Sequence, residues 1–465
     1  MRICPSQRPE TGGKMKFTTL DGERLVLAGG VRTPVGQAGK SYSDMTSVDL
    51  GSIVAEEIFK RTGVSKTEVD GVVAGEISQS AKAPNIARVI SVKIGIPLEA
   101  SAVTVANNCV SGTEAVLDAA RRIMIGEGDF YLALGMETMS QGPFIIEGAK
   151  ENSKTATVDK LMANWADAPA LGVKVYDSID EGLNDPIRKL NMAMTGELAA
   201  QNYDLTKKEL DDYAYMSYKK AYDSIKAGKY RPYQVSVKLT DGSLLEDDEY
   251  IMSKGGMVEN PGRFDKAGVI FDSKFMSLKE FYEKYGEWIN KKYEEGKTQA
   301  AVTLFNACPR SDGAGAIFVT TESKAKKLGL KIQAYLRGWG MYGVDPAHMG
   351  IGMAFSMNKA LTNAGLKFTD IDNFEIHEAF AATAMGSFRE VKKSWGFDLE
   401  AANKAGKVNP NGGTLAIGHP LGATGIRVLL NQIMDFDLNP KNKLSLNAIC
   451  AGGGVAGSII LERAN

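Results

Sequence analysis

The amino-acid sequence predicts an α/β protein made of two duplicated halves, with a separate region inserted into the first half. Near the N-terminus, short apolar segments alternate with segments of helical periodicity, and the same alternation returns after about residue 330. Between them lies a charged stretch of different character, rich in tyrosine and lysine. Strands that alternate with helices at this spacing are typical of parallel α/β units.

The first half begins with a predicted strand over residues 25–30 and continues with a helix over residues 47–61, which ends before Gly63. The helix is predicted because apolar residues recur at helical spacing within it. VDGVVAGEI and VTVANNC are the next predicted strands, and the second leads into a helix over residues 111–125. DFYLALGM predicts a further strand.

Two nearly equal offsets relate the halves residue by residue. A shift of 302 positions places Gly63 on Gly365, Thr67 on Thr369, Val69 on Ile371, Asp70 on Asp372 and Glu76 on Glu378, and a shift of 310 places Cys109 on His419 and Gly112 on Gly422. Short α/β units can look alike by chance, but two offsets that span strand, helix and turn favour duplication. We therefore expect Cys109 and His419 at equivalent strand ends, each opening a helix, where ligands of open parallel sheets bind.

These patterns divide the chain into four parts. Residues 1–14 precede the patterned sequence and are predicted to be a disordered leader. Residues 15–140 are the N-terminal half, which residues 300–328 complete because TLFNACPRSDGAGAIFV resumes strand character. Residues 141–299 are interpreted as an inserted loop or cap domain over the site, and residues 329–465 as the C-terminal half.

Composition and charge exclude several classes of function. Lysine plus arginine number 55 against 56 acids, for a formal net charge of -1, so nothing global attracts nucleic acid or an anionic membrane. No run of eighteen apolar residues occurs, so no membrane span is expected. The cysteines Cys4, Cys109, Cys308 and Cys450 form no CxxC pair. This argues against a zinc knuckle or a disulfide scaffold and favours a reducing compartment.

Three residues stand where side chains could carry chemistry. Cys109 lies where a predicted strand becomes a helix, and the positive end of a helix favours a thiolate. A buried core cysteine is the plain alternative for this residue taken alone. His419 lies in the glycine-rich NPNGGTLAIGHPLGATG, where a side chain can face a cleft. Cys450 precedes three glycines in LNAICAGGGVAG, so backbone surrounds it, as suits an acid–base thiol.

The other two histidines give weaker signals. His377 ends an apolar stretch in FEIHEAFAA, where a hydrogen-bonded core histidine is the plain alternative. His348, in DPAHMG, is interpreted as a loop residue. The glycines around His419 form no GxGxxG or GxxxxGK phosphate loop.

Several motifs taken together resemble those of thiolases. NNCVSG, LGMETMS, NACPRSDGAG, DPAHMGIG, HEAFA, NPNGGTLAIGHPLGATG and CAGGG occur in thiolase order and spacing, and the resemblance covers nearly everything from Leu20 to Glu462. HEAF in place of the commoner NEAF looks like the β subunits of trifunctional complexes, which act in fatty-acid β-oxidation.

The resemblance implies a thiolase-like five-layered αβαβα core with a loop domain over the site. It implies Cys109 as the acylated nucleophile, His419 as its base, and Cys450 as the group that moves a proton at the α-carbon or the CoA sulfur. His377 and His419 would bind the thioester oxygen. The amides of Cys109 and Gly452 would form a second oxyanion hole.

The implied reaction is CoA-dependent cleavage of a 3-oxoacyl-CoA to acetyl-CoA and a shortened acyl-CoA, or the reverse Claisen condensation. It would pass through an acyl-cysteine, with coenzyme A as co-substrate and no bound cofactor. The resemblance further implies a homodimer or homotetramer and a cytoplasmic location, or the mitochondrial matrix in a eukaryote. The HEAF branch adds an expected hydratase/dehydrogenase α subunit as partner.

The sequence departs from the family around the expected acyl and CoA cleft. Cys308 stands where thiolases usually have serine, near the pantetheine arm, and is expected to contact substrate or CoA together with Met349, Ala379 and Phe380. The DExxR stretch at Asp248 lacks its arginine. These departures leave the identity of the substrate open.

Three alternatives stay open at this point. A condensing enzyme of the ketoacyl-synthase type would use Cys109, His377 and His419 but needs no thiol at Cys450. A non-catalytic acyl-CoA-binding paralogue should have lost at least one of these four residues. A metal site built from them is chemically feasible, but only Glu378 could orient its ligands, so no metal is expected.

Overall fold

The computed structural model describes residues 16–147, 173–271 and 276–464. Its strands in chain order are β1 (Leu25–Arg32), β2 (Gly36–Gln37), β3 (Gly71–Gly75), β4 (Ser101–Val105), β5 (Phe130–Thr138), β6 (Phe144–Glu147), β7 (Lys174–Asp177), β8 (Val237–Lys238), β9 (Leu244–Leu245), β10 (Ser311–Thr321), β11 (Ile332–Gly343), β12 (Asn373–Ile376), β13 (Leu444–Ala451) and β14 (Val455–Arg463).

The helices in chain order are α1 (Ser47–Thr62), α2 (Ile86–Lys93), α3 (Ser111–Met124), α4 (Ser178–Gly182), α5 (Met192–Asn202), α6 (Lys207–Lys226), α7 (Glu249–Ser253), α8 (Gly255–Val258), α9 (Gly262–Asp265), α10 (Leu278–Tyr285), α11 (Glu322–Lys327), α12 (Gly352–Ala364), α13 (Ala381–Trp395), α14 (Leu399–Lys404), α15 (Thr414–Ile417) and α16 (Thr424–Leu438). The strands and helices predicted for the first half are present, with ends shifted by a few residues.

A ten-stranded sheet forms the centre of the molecule, in the order β12-β13-β14-β11-β1-β10-β5-β3-β4, with β2 beside β10. Strands β3, β4 and β5 are parallel neighbours, and so are β12 and β13. Strands β1, β10, β11 and β14 pair antiparallel with their neighbours. The sheet is therefore mixed. The predicted parallel units are present at its two ends, and antiparallel strands lie between them. Short links such as the turn between β13 and β14 can join only antiparallel strands.

The duplication is visible in the structure at positions that the 302-residue shift relates. Gly63 and Gly365 end α1 and α12 with φ values of 70° and 68°, a conformation that favours glycine. Asp70 and Asp372 each accept two backbone N–H bonds through Oδ2, at the starts of β5 and β13 respectively. Equivalent sequence positions therefore perform equivalent structural tasks in the two halves.

Two central helices, α3 and α16, pack against each other between the halves. Helix α3 covers β3 and β5, and α16 covers β12 and β13. A Cβ at Gly112 would lie 2.5 Å from the Gly422 carbonyl oxygen, so this approach requires glycine. On the outer faces, α1 and α2 cover the first half and α12 covers β11 and β14. The five layers of the αβαβα arrangement are therefore α1 with α2, the first half of the sheet, α3 with α16, the second half of the sheet, and α12.

The described part of the inserted region lies over this core. It contains α4 to α10 and the hairpins β6–β7 and β8–β9. Helix α6 begins with a capping box in which Thr206 and Glu209 bond reciprocally to each other's backbone N–H groups. Its buried face packs on α13 and on the short helix α15. This contact places the inserted region against the glycine-rich loop of His419.

Three sequence expectations need comment. The residues before His419 were expected to form a strand, but they form helix α15, and the strand equivalent to β4 is reduced to a single bridge between Phe374 and Val408. His348 is buried in the 3-10 turn Pro346–Ile351 and is not a loop residue. The predicted leader, residues 1–14, lies outside the described residues. No helix in the described ranges is long and apolar enough to cross a membrane.

Candidate active site

Cys109 lies in a tight turn between β4 and α3. Asn108 adopts φ of 47°, in the left-handed region that asparagine tolerates better than most residues. Its Nδ2 donates to the Gly452 carbonyl at 2.8 Å, and Ser111 Oγ donates to the Asn108 carbonyl at 2.7 Å. The turn of the nucleophile is thus tied to the glycine turn that follows Cys450.

The environment of Cys109 favours the neutral thiol in the free protein. Burial raises the pKa of this thiol to about 12, and the carboxylate of Glu137 adds to the rise. Hydrogen bonds from the backbone amides of Gly452 and of Cys109 itself act in the opposite direction. Since only the thiolate is nucleophilic, this cysteine needs a base to take its proton as it attacks.

His419 presents an unprotonated nitrogen to the site. The Thr424 hydroxyl donates to the Pro420 carbonyl at 3.0 Å, so its single proton is committed there. Thr424 Oγ1 can then only accept from His419 Nδ1, at 2.7 Å. We therefore assign the ring proton to Nδ1 and a lone pair to Nε2. Burial, aided by the charge of Arg427, lowers the pKa of His419 to about 3, so the ring is neutral near pH 7.

His377 stands beside His419, with ring centroids 4.3 Å apart and planes inclined by 50°. Its Nδ1 lies 3.1 Å from Thr414 Oγ1, and its backbone N–H donates to the Ala448 carbonyl at 2.8 Å. Burial is the main cause that lowers the pKa of His377 well below its usual value. The Nε2 atoms of both rings are buried and have no hydrogen-bond partner among the described residues.

Cys450 and Cys308 complete the group of polar side chains around Cys109. Cys450 is the penultimate residue of β13 and has 1% of its surface exposed. Burial raises the pKa of Cys450 well above its usual value, and the neighbouring charges of Cys109 and Cys308 would raise it further. All three thiols are therefore close enough to interact electrostatically, and all are neutral at pH 7.

The segment around Cys308 holds the two histidine loops together. The Cys308 amide donates to the Ala379 carbonyl at 3.0 Å, and the His419 amide donates to the Pro309 carbonyl at 3.3 Å. Among the other residues expected to contact CoA, Phe380 packs against Gly196. A Cβ added at Gly196 would come within 2.8 Å of the Phe380 ring. Met349 is buried, with 3% of its surface exposed.

Cys109, His377, His419 and Cys450 come from four separate stretches of the chain, and these stretches are joined by the contacts Asn108–Gly452, His377–Ala448 and His377–His419. Comparison with known proteins identifies the family of the chain. The family model of the thiolase N-terminal domain matches residues 25–270, and that of the thiolase C-terminal domain matches residues 330–463.

The chain belongs to the thiolase family. It is 32% identical over 444 residues to a probable acetyl-CoA acyltransferase of Staphylococcus aureus, covering 95% of this chain and 99% of that protein. Its fold is similar to human mitochondrial 3-ketoacyl-CoA thiolase, with a TM-score of 0.79, 27% identity and coverage of 95% and 99%. An Ascaris suum thiolase in complex with coenzyme A gives a TM-score of 0.77, 26% identity and coverage of 95% and 100%.

This thiolase is accordingly an acyltransferase. The ketoacyl-synthase and non-catalytic alternatives are not favoured, since the matches cover both halves and nearly the whole chain. Within residues 16–147, 173–271 and 276–464, no group of three or more His, Cys, Asp or Glu side chains could hold a metal ion.

The hydrogen-bonding roles of several residues around the site were not foreseen from the sequence, although Glu378 itself was noted there. Glu378 is buried and accepts hydrogen bonds from Tyr213, Ser217, Asn409 and the Leu415 amide, at 2.7–3.1 Å. It thereby ties the HEAF motif to the inserted region and to the His419 loop. Thr414 and Thr424, which hold the two imidazoles, each lie five positions from His419. Hydroxyl residues at these places in the glycine-rich motif were the available signal.

Proposed function

We propose that this thiolase cleaves a 3-oxoacyl-CoA with coenzyme A, or catalyses the reverse Claisen condensation, through an acyl group on Cys109. The observation that carries the proposal is a pair of adjacent imidazoles whose Nε2 atoms are buried and have no hydrogen-bond partner among the described residues. The neutral Cys109 thiol is the nucleophile that we assign to this pair. One of these, His419, has a lone pair available to accept a proton. A structural core histidine would have both ring nitrogens satisfied.

In the first half-reaction, Cys109 Sγ attacks the 3-oxo carbon while His419 Nε2 takes the thiol proton. The charge that develops on the carbonyl oxygen favours protonation of the neighbouring imidazole, which offsets the low pKa of the free enzyme. The C2–C3 bond then breaks, and its electrons pass to the C2 carbon of acetyl-CoA. Cys450 protonates that carbon, so acetyl-CoA leaves and the shortened acyl group stays on Cys109.

In the second half-reaction, the resulting Cys450 thiolate takes the proton of the incoming CoA thiol. The CoA sulfur attacks the acyl-Cys109 carbonyl, and the sulfur of Cys109 leaves and recovers its proton from His419. The amides of Cys109 and Gly452 bind the oxyanion that forms in this second half-reaction. In the first half-reaction, His377 and His419 bind the thioester oxygen of the substrate. Donors of this kind contribute about 3–4 kcal/mol each in comparable enzymes.

The remaining expectations are part of the same proposal. Cys308, Met349, Ala379 and Phe380 line the path of the acyl-pantetheine arm. Residues 15–140 with 300–328 and residues 329–465 form the two halves, and residues 141–299 form the cap. The S. aureus relative supports a cytoplasmic location. The family supports a homodimer or homotetramer, and the HEAF motif supports a role in β-oxidation with a hydratase/dehydrogenase α subunit.

The test is mass spectrometry of the protein after incubation with acyl-CoA. Wild type should carry an acyl group on Cys109, and Cys109→Ala should carry none and lose turnover. With a simple acyl-CoA, whose acylation step releases no carbanion, Cys450→Ala should still be acylated. With 3-oxoacyl-CoA it should stall, because the C2 carbanion then lacks the acid that protonates it. An adduct located only elsewhere, or near-normal turnover of Cys450→Ala, would contradict the assignment. Rates with 3-oxoacyl-CoA of several chain lengths, including acetoacetyl-CoA, would then define the substrate.

A further inference from the structure

Arg427 is a buried cation that forms no ion pair within the part of the chain that the structure describes. It lies in the first turn of α16 with 2% of its surface exposed, and no carboxylate among the described residues approaches within 4.0 Å of it. The nearby Asp248 is already held by both Nη atoms of Arg32, at 2.6 and 2.8 Å. Removing such a charge from water costs several kcal/mol, so its retention calls for a reason.

The one hydrogen bond of Arg427 leads to the histidine pair. Its Nη2 donates to Thr414 Oγ1 at 2.8 Å, whereas Nε and Nη1 meet no protein acceptor within the described residues. The same Oγ1 lies 3.1 Å from Nδ1 of His377. Thr414 is therefore a bridge between the guanidinium and one imidazole.

The direction of these two hydrogen bonds follows from what each group can donate. An arginine has no acceptor, so it must donate to Thr414 and occupy one lone pair of the hydroxyl oxygen. The hydroxyl proton then has one acceptor among the described residues, which is His377 Nδ1. If Nδ1 carried the proton instead, the buried hydroxyl would be left with a donor and no acceptor. The neutral ring of His377 therefore carries its proton on Nε2.

We propose that Arg427 is a positioning residue that, through Thr414, fixes His377 as an Nε2–H donor to the substrate oxygen. The inference rests on the proposed function of the histidine pair, and it explains how two adjacent imidazoles take opposite roles. Thr424, whose proton is committed to a carbonyl, makes His419 a base. Thr414, whose oxygen is occupied by a guanidinium, makes His377 a donor.

The charge of Arg427 has a second effect on the same pair. It adds to burial in lowering the pKa of both His377 and His419, so both rings stay neutral in the free enzyme. A neutral side chain of equal size at position 427 would supply neither this charge nor an obligatory donor. The buried titratable groups that interact with Arg427 are Arg32, Tyr230, Glu375 and Asp248, and none of these described residues hydrogen-bonds to the histidines.

The test is nuclear magnetic resonance of protein labelled with nitrogen-15 in histidine, without substrate. Long-range couplings from the ring carbons' protons show which nitrogen of each histidine is protonated. The three histidines give three sets of imidazole signals. The set that disappears in His348→Gln belongs to His348, which lies outside the site, and the set that disappears in His377→Asn belongs to His377. Wild type should show His377 with Nε2–H and His419 with Nδ1–H. Arg427→Gln and Thr414→Val should each increase the Nδ1–H form of His377, and Thr414→Ser should keep the wild-type form.

Kinetics give a readout that a purely structural role would not reproduce. Arg427→Gln should lower kcat roughly 10- to 100-fold with KM changed less than about twofold, because the lost donor acts mainly in the transition state. Arg427→Lys keeps an obligatory donor and should lose less. Wild-type His377 with Nδ1–H, or folded Thr414→Val with an unchanged tautomer, would overturn the proposal. If Arg427→Gln fails to fold, the comparison of the His377 tautomer in Thr414→Ser and Thr414→Val still tests the proposal.

The two proposals can fail separately. The tautomers are measured in the free protein, whereas the proposed function is measured by the acyl group on Cys109. Absence of that acyl group with the expected tautomers would remove the function and leave the positioning role. An acyl group on Cys109 with the opposite tautomer of His377 would do the reverse.

Discussion

Thr424→Val tests whether His419 is made a base by its threonine. Valine has nearly the shape of threonine, but it removes the acceptor that lies 2.7 Å from His419 Nδ1 and the donor that bonds the Pro420 carbonyl. The base-competent tautomer then has a buried N–H without a partner, which costs about 1–3 kcal/mol. At 1.36 kcal/mol per factor of ten, the acylation rate should fall roughly 5- to 150-fold.

The assay is single-turnover acylation of Cys109, quenched at successive times and followed by mass spectrometry. Thr424→Ser keeps the hydroxyl and should lose less rate than Thr424→Val. The unfolding free energy of both variants, measured in urea, separates a loss of stability from a loss of rate. If folded Thr424→Val were acylated within a factor of two of wild type, the threonine would not control the tautomer.

Three further predictions concern packing, protonation and specificity. Gly413→Ala should lower the unfolding free energy by about 1–3 kcal/mol, because its Cβ would fall on the buried Glu378 carboxylate, 2.7 Å from Oε1. Urea unfolding measures this change. Gly343→Ala is the matched control, since a Cβ at that position would meet open space. The pKa of His419 falls from 6.5 in the unfolded chain to about 3 in the folded protein. Below pH 6.5 the unfolded chain therefore binds the extra proton, and the unfolding free energy drops by about 1.4 kcal/mol per pH unit as pH falls towards 3. His419→Asn should lack this contribution to the pH dependence of the unfolding free energy, and equal pH dependence in the two proteins would contradict the shift. Cys308→Ser should change the preference among acyl chain lengths. It should not change the rate of inactivation by mild peroxide, because burial raises the pKa of this thiol and keeps it unreactive. Identical chain-length profiles in wild type and variant would leave Cys308 with a packing role alone.

Local chemistry explains why much of the fold could be predicted. The end of α1 at Gly63 follows from apolar periodicity and from the φ of 70° that glycine adopts there. The turn of Cys109 follows from the change of period between VTVANNC and the helix after it. The 302-residue shift aligned Asp70 with Asp372, and in the structure the two carboxylates accept equivalent backbone hydrogen bonds. Each of these features depends on a few neighbouring residues.

Predictions failed where the outcome depends on distant residues. The stretch before His419 was expected to be a strand, but the dense glycines there allow α15, and α6 of the inserted region packs against it. The parallel units were predicted correctly, but the antiparallel strands β1, β10, β11 and β14 that lie between them were not foreseen. Periodicity identifies an element but contains no information about which strand lies beside it.

By itself, the sequence determined the thiolase family and the α/β fold. It also predicted two halves, an inserted region, and the cysteines and histidines that we propose carry the chemistry. Only the tertiary structure distinguished the roles that we propose for the two histidines. The roles of His377 and His419 depend on which hydroxyl faces Nδ1 and on what already occupies that hydroxyl. Arg427 reaches Thr414 because α16 packs against the glycine-rich loop with one particular face. A hydrogen bond has a direction set by its partners in space, and that direction is not written in the spacing of residues along the chain.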